Sequence, residues 1–259
     1  MPNFAANLTM MFNEWDFLDR FGAAADAGFT AVEFLFPYAY PPEAIAARLQ
    51  RHGLKQALLN LPPGDWDAGE RGMAALPGRG QEFAASAATA LTYAAATGVP
   101  NLHVMSGKAD RHDPSAVLAY RDALKMACDM ASAMQLNILI EPINGRDMPG
   151  YFLNDFPFAA ELIAELKLPN LKLQYDIYHR QILHGDVFKS LDELLPIIGH
   201  IQTASVPGRQ EPGTGELNDH GIFRHLDGAG YRGYVGCEYR PAGGTVAGLT
   251  WMRGEIDPV

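Results

Sequence analysis

Short aliphatic runs ending in a polar residue recur along the chain and set its plan. Ile138-Leu139-Ile140 leads into Glu141, and Pro142 stops the run. A buried strand reads this way, as a brief β-branched stretch closed by a breaker. Leu171 to Tyr175 leads in the same manner to Asp176, Gly199-His200-Ile201 to Gln202, and Tyr234 to Cys237 leads to Glu238. Earlier strands are expected at Asn3–Leu8, Ala31–Leu35, Leu54–Asn60 and Asn101–Met105. Helical periodicity fills the gaps. Asn13 can cap a helix through about Ala27, with Phe17, Leu18, Phe21 and Ala25 on one face and Gly28 at its end. Pro41-Pro42-Glu43 opens a second helix, closed by Gly53. Further helices are expected over 81–97, from Asp113-Pro114 to about Gln135, over 155–166, 186–198 and 219–229, with a short last one at Thr245–Trp251.

Strand and helix signals thus alternate eight times, and no Ser/Gly linker divides them. One α/β domain over 1–259, a single (β/α)8 TIM barrel, is the economical reading. An open doubly wound sheet would want a G-x-G-x-x-G after the first strand, and none is present. In a closed barrel of about 250 residues, one unit takes roughly 31 residues. Glu141, Asp176, Gln202 and Glu238 are spaced near that interval. They end four successive strands, and their side chains are expected to converge.

Residues 61–78 stand apart. This long stretch, rich in Pro and Gly, carries Trp66 and Met73. Loops of such length inside a compact domain tend to be functional, and this one is expected to be a lid over the strand ends.

Composition narrows the partners. The chain has 259 residues, 48% of them hydrophobic, and a formal charge of −10. That balance argues against a nucleic-acid or anionic membrane surface. Cys128 and Cys237 lack C-x-x-C spacing, so neither a zinc cluster nor a disulfide framework is expected. No secretory leader and no membrane span are expected, which leaves the cytoplasm as the default compartment. A homo-oligomer stays open.

Three carboxylates and an amide carbonyl present hard oxygen ligands. They suit Mg²⁺, or Mn²⁺ or Co²⁺, better than zinc. Without a cation, three crowded carboxylates could not all stay ionised. His179, three residues after Asp176, falls in the loop beyond strand six near the proposed metal. His103 lies inside strand four and reads as a satisfied core histidine or as one that supports the metal ligands from behind. Lys108 and Arg209 are expected in strand-end loops, where either can hold a substrate carboxylate. Asn7 and Glu33 end early strands and are expected to line the pocket. Phe12 and Trp66 would help to fill it. A metal with glutamates Glu141 and Glu238 on two sides supports proton transfer between the carbons of an α-hydroxycarbonyl compound through an enediolate. A lid would exclude water meanwhile. No Ser-His-Asp set or phosphate loop competes.

Several of these stretches resemble the hydroxypyruvate isomerase family: I-E-P-I-N around Glu141, D-I-Y-H from Asp176, V-P-G-R-Q-E-P after Gln202, C-E-Y at Glu238, N-L-P-P-G-D-W-D-A-G-E-R-G from Asn60 and A-N-L-T-M-M-F from Ala6. The wider group is the xylose-isomerase-like barrels, which include ketose 3-epimerases, inosose dehydratases and endonuclease IV-type nucleases. The resemblance implies interconversion of hydroxypyruvate and tartronate semialdehyde (2-hydroxy-3-oxopropanoate). It implies that Glu141 and Glu238 are both metal ligands and the acid–base pair, that Asp176 and Gln202 complete the site, and that His179 contacts substrate oxygens. Sugar epimerases usually have histidine where this chain has Gln202, a departure that favours the hydroxypyruvate branch. A close branch isomerises the four-carbon 2-oxo-tetronates, and the motifs do not separate the two. Substrates of small 2-oxo acid or sugar type follow.

Overall fold

The computed structural model describes residues 1–253. Eight parallel strands close on themselves in chain order. They are β1 (Asn3–Asn7), β2 (Ala31–Phe34), β3 (Lys55–Asn60), β4 (Asn101–His103), β5 (Asn137–Ile140), β6 (Leu171–Asp176), β7 (Ile198–Thr203) and β8 (Tyr234–Cys237). Closure is direct: Asn3 to Ala6 of β1 pair with Tyr234 to Cys237 of β8. The helices are α1 (Arg20–Asp26), α2 (Pro42–His52), α3 (Gly80–Thr97), α4 (Pro114–Ser132), α5 (Phe156–Leu166), α6 (Ile177–Leu183), α7 (Val187–Leu194) and α8 (Asp219–Gly228). The main core lies between strands and helices, where Phe21, Leu124, Phe156 and Leu226 are buried. Among the described residues no helix is long and apolar enough to cross a membrane.

The barrel interior is unusual in what fills it. Ala5, Ala31 and Ala57 form a small buried cluster of their own. Beyond them the filling is polar. Glu33 of β2 bonds to His200 and Gln202 of β7 at 2.6 and 2.8 Å. In the barrel, β2 neighbours only β1 and β3, so those contacts cross the interior. They cross directly over Gly236 of β8. A Cβ there would lie within 3.0 Å of the whole Glu33 carboxyl group.

Local signals held in most places. Asp113 caps α4 by accepting from the Ser115 N–H at 2.9 Å, and Asp155 caps α5 through the Phe158 N–H at 2.8 Å. Gly53 and Gly98 follow α2 and α3 in the left-handed conformation. Two expectations change. Asn13 does not cap a helix; its amide donates to the Met10 carbonyl at 2.7 Å, and α1 begins only at Arg20 after a 3-10 turn over Phe17–Asp19. The segment after β6 is helix α6 rather than loop, so His179 sits on its first turn.

Residues 61–78 are tied down at the heel. Gly72 donates to Pro63 O at 2.9 Å, pairs with Ser106 in an isolated bridge, and Ala75 donates to Ser106 O at 2.7 Å. Gly72 lies so close to Met105 that a Cβ would strike its carbonyl. Met73, Ala74 and Ala75 are buried, whereas Trp66 at the tip is 37% exposed.

Candidate active site

Pro142 ends β5, which leaves Glu141 at the strand exit. Asp176 closes β6 and also caps α6: its Oδ1 accepts from the Tyr178 N–H at 2.8 Å. That bond fixes the rotamer and leaves Oδ2 buried without a hydrogen-bond partner. Glu238 follows β8 directly. Ligand atoms of Glu141, Asp176, His179 and Glu238 lie within 4.8 Å of one another, and all four residues are buried. Gln202 sits beside Asp176 across the β6–β7 pairing. Its Nε2 donates to Glu33, which turns the amide so that Oε1 faces Gln174 Nε2 at 2.6 Å. One lone pair of that carbonyl oxygen stays free.

Burial sets the proton affinities here. It pushes Glu141 well above the usual carboxylate range, with the charges of Glu238 and Asp176 adding to the effect. Burial likewise raises Glu238 to about 8 and Asp176 to about 6, and the Arg209 guanidinium opposes both shifts. His179 is held well below its ordinary value, again chiefly by burial. Its Nδ1 accepts from the Asn144 backbone N–H at 3.4 Å, so the ring proton belongs on Nε2. That atom lies 3.6 Å from Asp176 Oδ2 and 3.9 Å from Glu141 Oε1.

Arg209 is the counter-charge of the cluster. Its Nη2 reaches Glu238 at 2.8 Å and Asp176 at 3.7 Å, while Nη1 reaches Asp147 at 3.2 Å. The guanidinium also lies 4.8 Å from the centre of the Tyr178 ring. Its backbone is left-handed at φ 52° and is held by bonds to Ser205 O and from the Arg240 N–H.

A cavity of about 630 Å³ opens over these groups, walled by Trp66, Arg71, His103, Met105, Ile143 and Tyr178 among others. Glu141 Oε1 and Asp176 Oδ2 are buried there with no hydrogen-bond partner. Orphaned hard oxygens, two further oxygen-bearing side chains and a buried setting fit a divalent cation.

The expected residues separate. Glu141, Asp176, Glu238, His179 and Arg209 come together, and Trp66 forms part of the wall; Gln202 neighbours Asp176 in the β6–β7 register, with its amide bonded to Glu33 and Gln174 and outside the cavity lining. Lys108 does not join them; the backbone after Gly107 pairs with Tyr151, and the side chain is exposed outside the cavity lining. Asn7 is also absent from the lining. It is fully buried beneath the site, where Nδ2 donates to Glu33 at 2.9 Å and Oδ1 accepts from the Thr9 N–H. Glu33 is buried with it. Phe12 packs in the core against Phe29, and Met10 lines the cavity instead. His103 is buried but not satisfied: neither ring nitrogen has a hydrogen-bond partner, and Nε2 lies 3.6 Å from Glu141. Burial lowers it to about 3, so it is neutral. Sequence reasoning missed Arg71, Asn60 and Asp147 in the lining. Arg71 lies in the same Gly-Glu-Arg-Gly stretch as the expected lid, which was the available signal.

Comparison with known proteins gives the family. The 2-oxo-tetronate isomerase of Cupriavidus necator is 51% identical over 255 residues, covering 98% of both chains. The hydroxypyruvate isomerase of Escherichia coli is 43% identical, covering 97% of this chain and 98% of that one. A crystal structure titled AP endonuclease, family 2, from Brucella melitensis superposes with a TM-score of 0.96 at 46% identity, covering 99% of this chain and 100% of that chain. A sequence profile described as xylose isomerase-like TIM barrel matches residues 21–255. On this match and these identities, the chain belongs to the xylose isomerase-like TIM barrel family, as one of its isomerases.

Proposed function

We propose that the chain interconverts short 2-oxo-3-hydroxy acids and 3-oxo-2-hydroxy acids, R–CH(OH)–CO–COO⁻ and R–CO–CH(OH)–COO⁻. With R = H these are hydroxypyruvate and tartronate semialdehyde. The observation that carries this reading is the pair Glu141 and Glu238, two buried carboxyls that line one cavity, with oxygens within 4.8 Å of one another and of ligand atoms of Asp176 and His179. A carboxylate placed beside the reacting carbons can take a proton from one and, once protonated, return it to the other.

A divalent cation held by Glu141, Asp176, Gln202 and Glu238, Mg²⁺ in this reading, would supply polarisation of the adjacent carbonyl and hydroxyl oxygens and so acidify the C–H bond. One glutamate takes the proton from C3, and the same or the other glutamate returns it to C2. His179, with its proton on Nε2, donates to a substrate oxygen. Arg209 holds the carboxylates in register. Trp66 and the rest of 61–78 act as a lid that keeps water from the reacting carbons.

The test is hydroxypyruvate with Mg²⁺ and enzyme in D₂O, followed by NMR. Deuterium at C3 and accumulating semialdehyde are expected. Absence of exchange with every three- and four-carbon oxo acid tried would overturn the reading.

A second reading makes the four-carbon acid, R = CH₂OH, the preferred substrate. The 51% identity to a relative named 2-oxo-tetronate isomerase favours it, and a cavity of about 630 Å³ has room for the extra carbon. Comparing kcat/KM for the two acids decides. A ketose epimerase fits less well because Gln202 stands where sugar epimerases carry histidine. A nuclease fits poorly with a charge of −10. We place the enzyme in the cytoplasm.

A further inference from the structure

Three arginines line the cavity, Arg71, Arg209 and Arg240. They differ in what already satisfies them. Arg209 commits both Nη groups to Glu238, Asp147 and Asp176, and only its Nε is buried without an acceptor. Arg240 is exposed, with only its backbone N–H engaged, on Arg209 O. Arg71 is pinned. Its Nη1 donates to the carbonyls of Trp66 at 2.9 Å and Glu70 at 2.6 Å. Its guanidinium carbon lies 3.7 Å from the Trp66 ring centre, a cation–π distance. The neighbouring carboxylate that would neutralise it is turned elsewhere: Glu70 pairs with Arg79 and accepts from the Asp65 N–H. No carboxylate among the described residues reaches Arg71 within ion-pair distance. Its Nε and Nη2 have no hydrogen-bond acceptor among them either.

We propose that Arg71 is the carboxylate anchor of the substrate site, offering its Nε–Nη2 edge to the C1 carboxylate of a 2-oxo acid. The inference rests on the reading that the substrate is such an acid. A planar fork matches a carboxylate in two hydrogen bonds, and a fork already held by stacking loses little freedom on binding. The consequence is substrate class. The chain selects acids over ketoses of the same length, because an anion completes a partly buried cation that the protein leaves without a counter-charge.

The experiment compares the wild type with Arg71→Gln and Arg71→Lys on hydroxypyruvate and 2-oxo-tetronate. Dihydroxyacetone and erythrulose, which carry CH₂OH in place of the carboxylate, serve as neutral counterparts. Binding of D-glycerate is read by calorimetry, and Mn²⁺ affinity is measured alongside. For Arg71→Gln, KM for the acids and Kd for glycerate rise by about 10- to 150-fold, the range for a charge-assisted pair. Proton exchange with the neutral ketoses and Mn²⁺ affinity change little. Arg71→Lys recovers part of the loss, since a point charge lacks the fork. The proposal is overturned if glycerate binds the Gln variant as it binds the wild type, or does not bind the wild type at all. A proportional loss of Mn²⁺, ketose exchange and glycerate overturns it as well. If the wild type binds glycerate through Arg71 yet turns over no acid, the anchor stands and the isomerase reading falls.

Discussion

Replacing Gly236 with alanine is a sharp test of how the site is supported. The new methyl would lie within 3.0 Å of every atom of the Glu33 carboxyl group. To regain ordinary contact the carboxyl would have to retreat by roughly 1 Å. It accepts from Asn7 at 2.9 Å and Gln202 at 2.8 Å and bonds His200 at 2.6 Å, all buried. A shift of that size breaks at least two of these bonds. Leaving buried donors unpaired costs about 1–3 kcal/mol each, and overpacking adds about 1–3 kcal/mol. After relaxation we expect a loss near 4 kcal/mol, read from urea denaturation of Gly236→Ala. Gln202 would lose the contact that orients its carbonyl, so Mn²⁺ affinity should fall by about 10- to 100-fold, as for other supports of metal ligands. Pairing the change with Glu33→Ala gives a double-mutant cycle. With the carboxyl gone, the added methyl should be nearly neutral. A Gly236→Ala protein as stable as the wild type, with unaltered Mn²⁺ affinity, would refute the account of Glu33 as the fixed strut under Gln202.

Other expectations concern the same cluster. Glu141→Gln and Glu238→Gln should each lower turnover by about 10²- to 10⁴-fold, with the barrel's far-UV circular dichroism retained; near-normal rates in both would remove them from proton transfer. Arg209→Met strands buried carboxylates, at about 3–5 kcal/mol for a broken buried pair. Thermal unfolding should show the deficit without divalent ion and a smaller one with saturating Mn²⁺. Burial holds a proton on Glu141 and on Glu238, the latter up to about 8. Those protons must leave before the oxygens bind a cation, so affinity should rise as pH climbs toward 8. Calorimetry in buffers of different ionisation heat should detect at least one proton released per Mn²⁺ at pH 7; heat independent of the buffer would contradict the raised pKa values.

The strand exits were legible in the chain because each is written locally: a short apolar-rich run and then an oxygen-bearing residue, with a breaker behind the first of them at Pro142. Chain order around the barrel followed from alternation alone. What stayed hidden depends on contacts between distant elements. Asn7 and Glu33 look like pocket residues because they end strands. They serve instead beneath the site, since closure brings β7 across to β2. Helix α6 escaped notice because Asp176 both ends a strand and caps a helix, two tasks for one side chain. Lys108 and Arg71 are both basic residues of strand-end segments, and only the place of Arg71 within the expected lid hints at the difference. The pairing of Lys108 with Tyr151, and the stacking of Arg71 on Trp66, decide which one meets the cavity.

The heel of the 61–78 segment has one more consequence. Pro63 and Gly72 are joined by a backbone hydrogen bond, so the intervening arc begins and ends at the same point on the barrel. Everything in it that meets the cavity, Trp66 and Arg71, is carried between those two posts. Such an arc can be exchanged whole, like a cartridge, without disturbing the strands below. Transplanting 64–71 between relatives should therefore carry chain-length and charge preference with it, while the glutamates stay where they are.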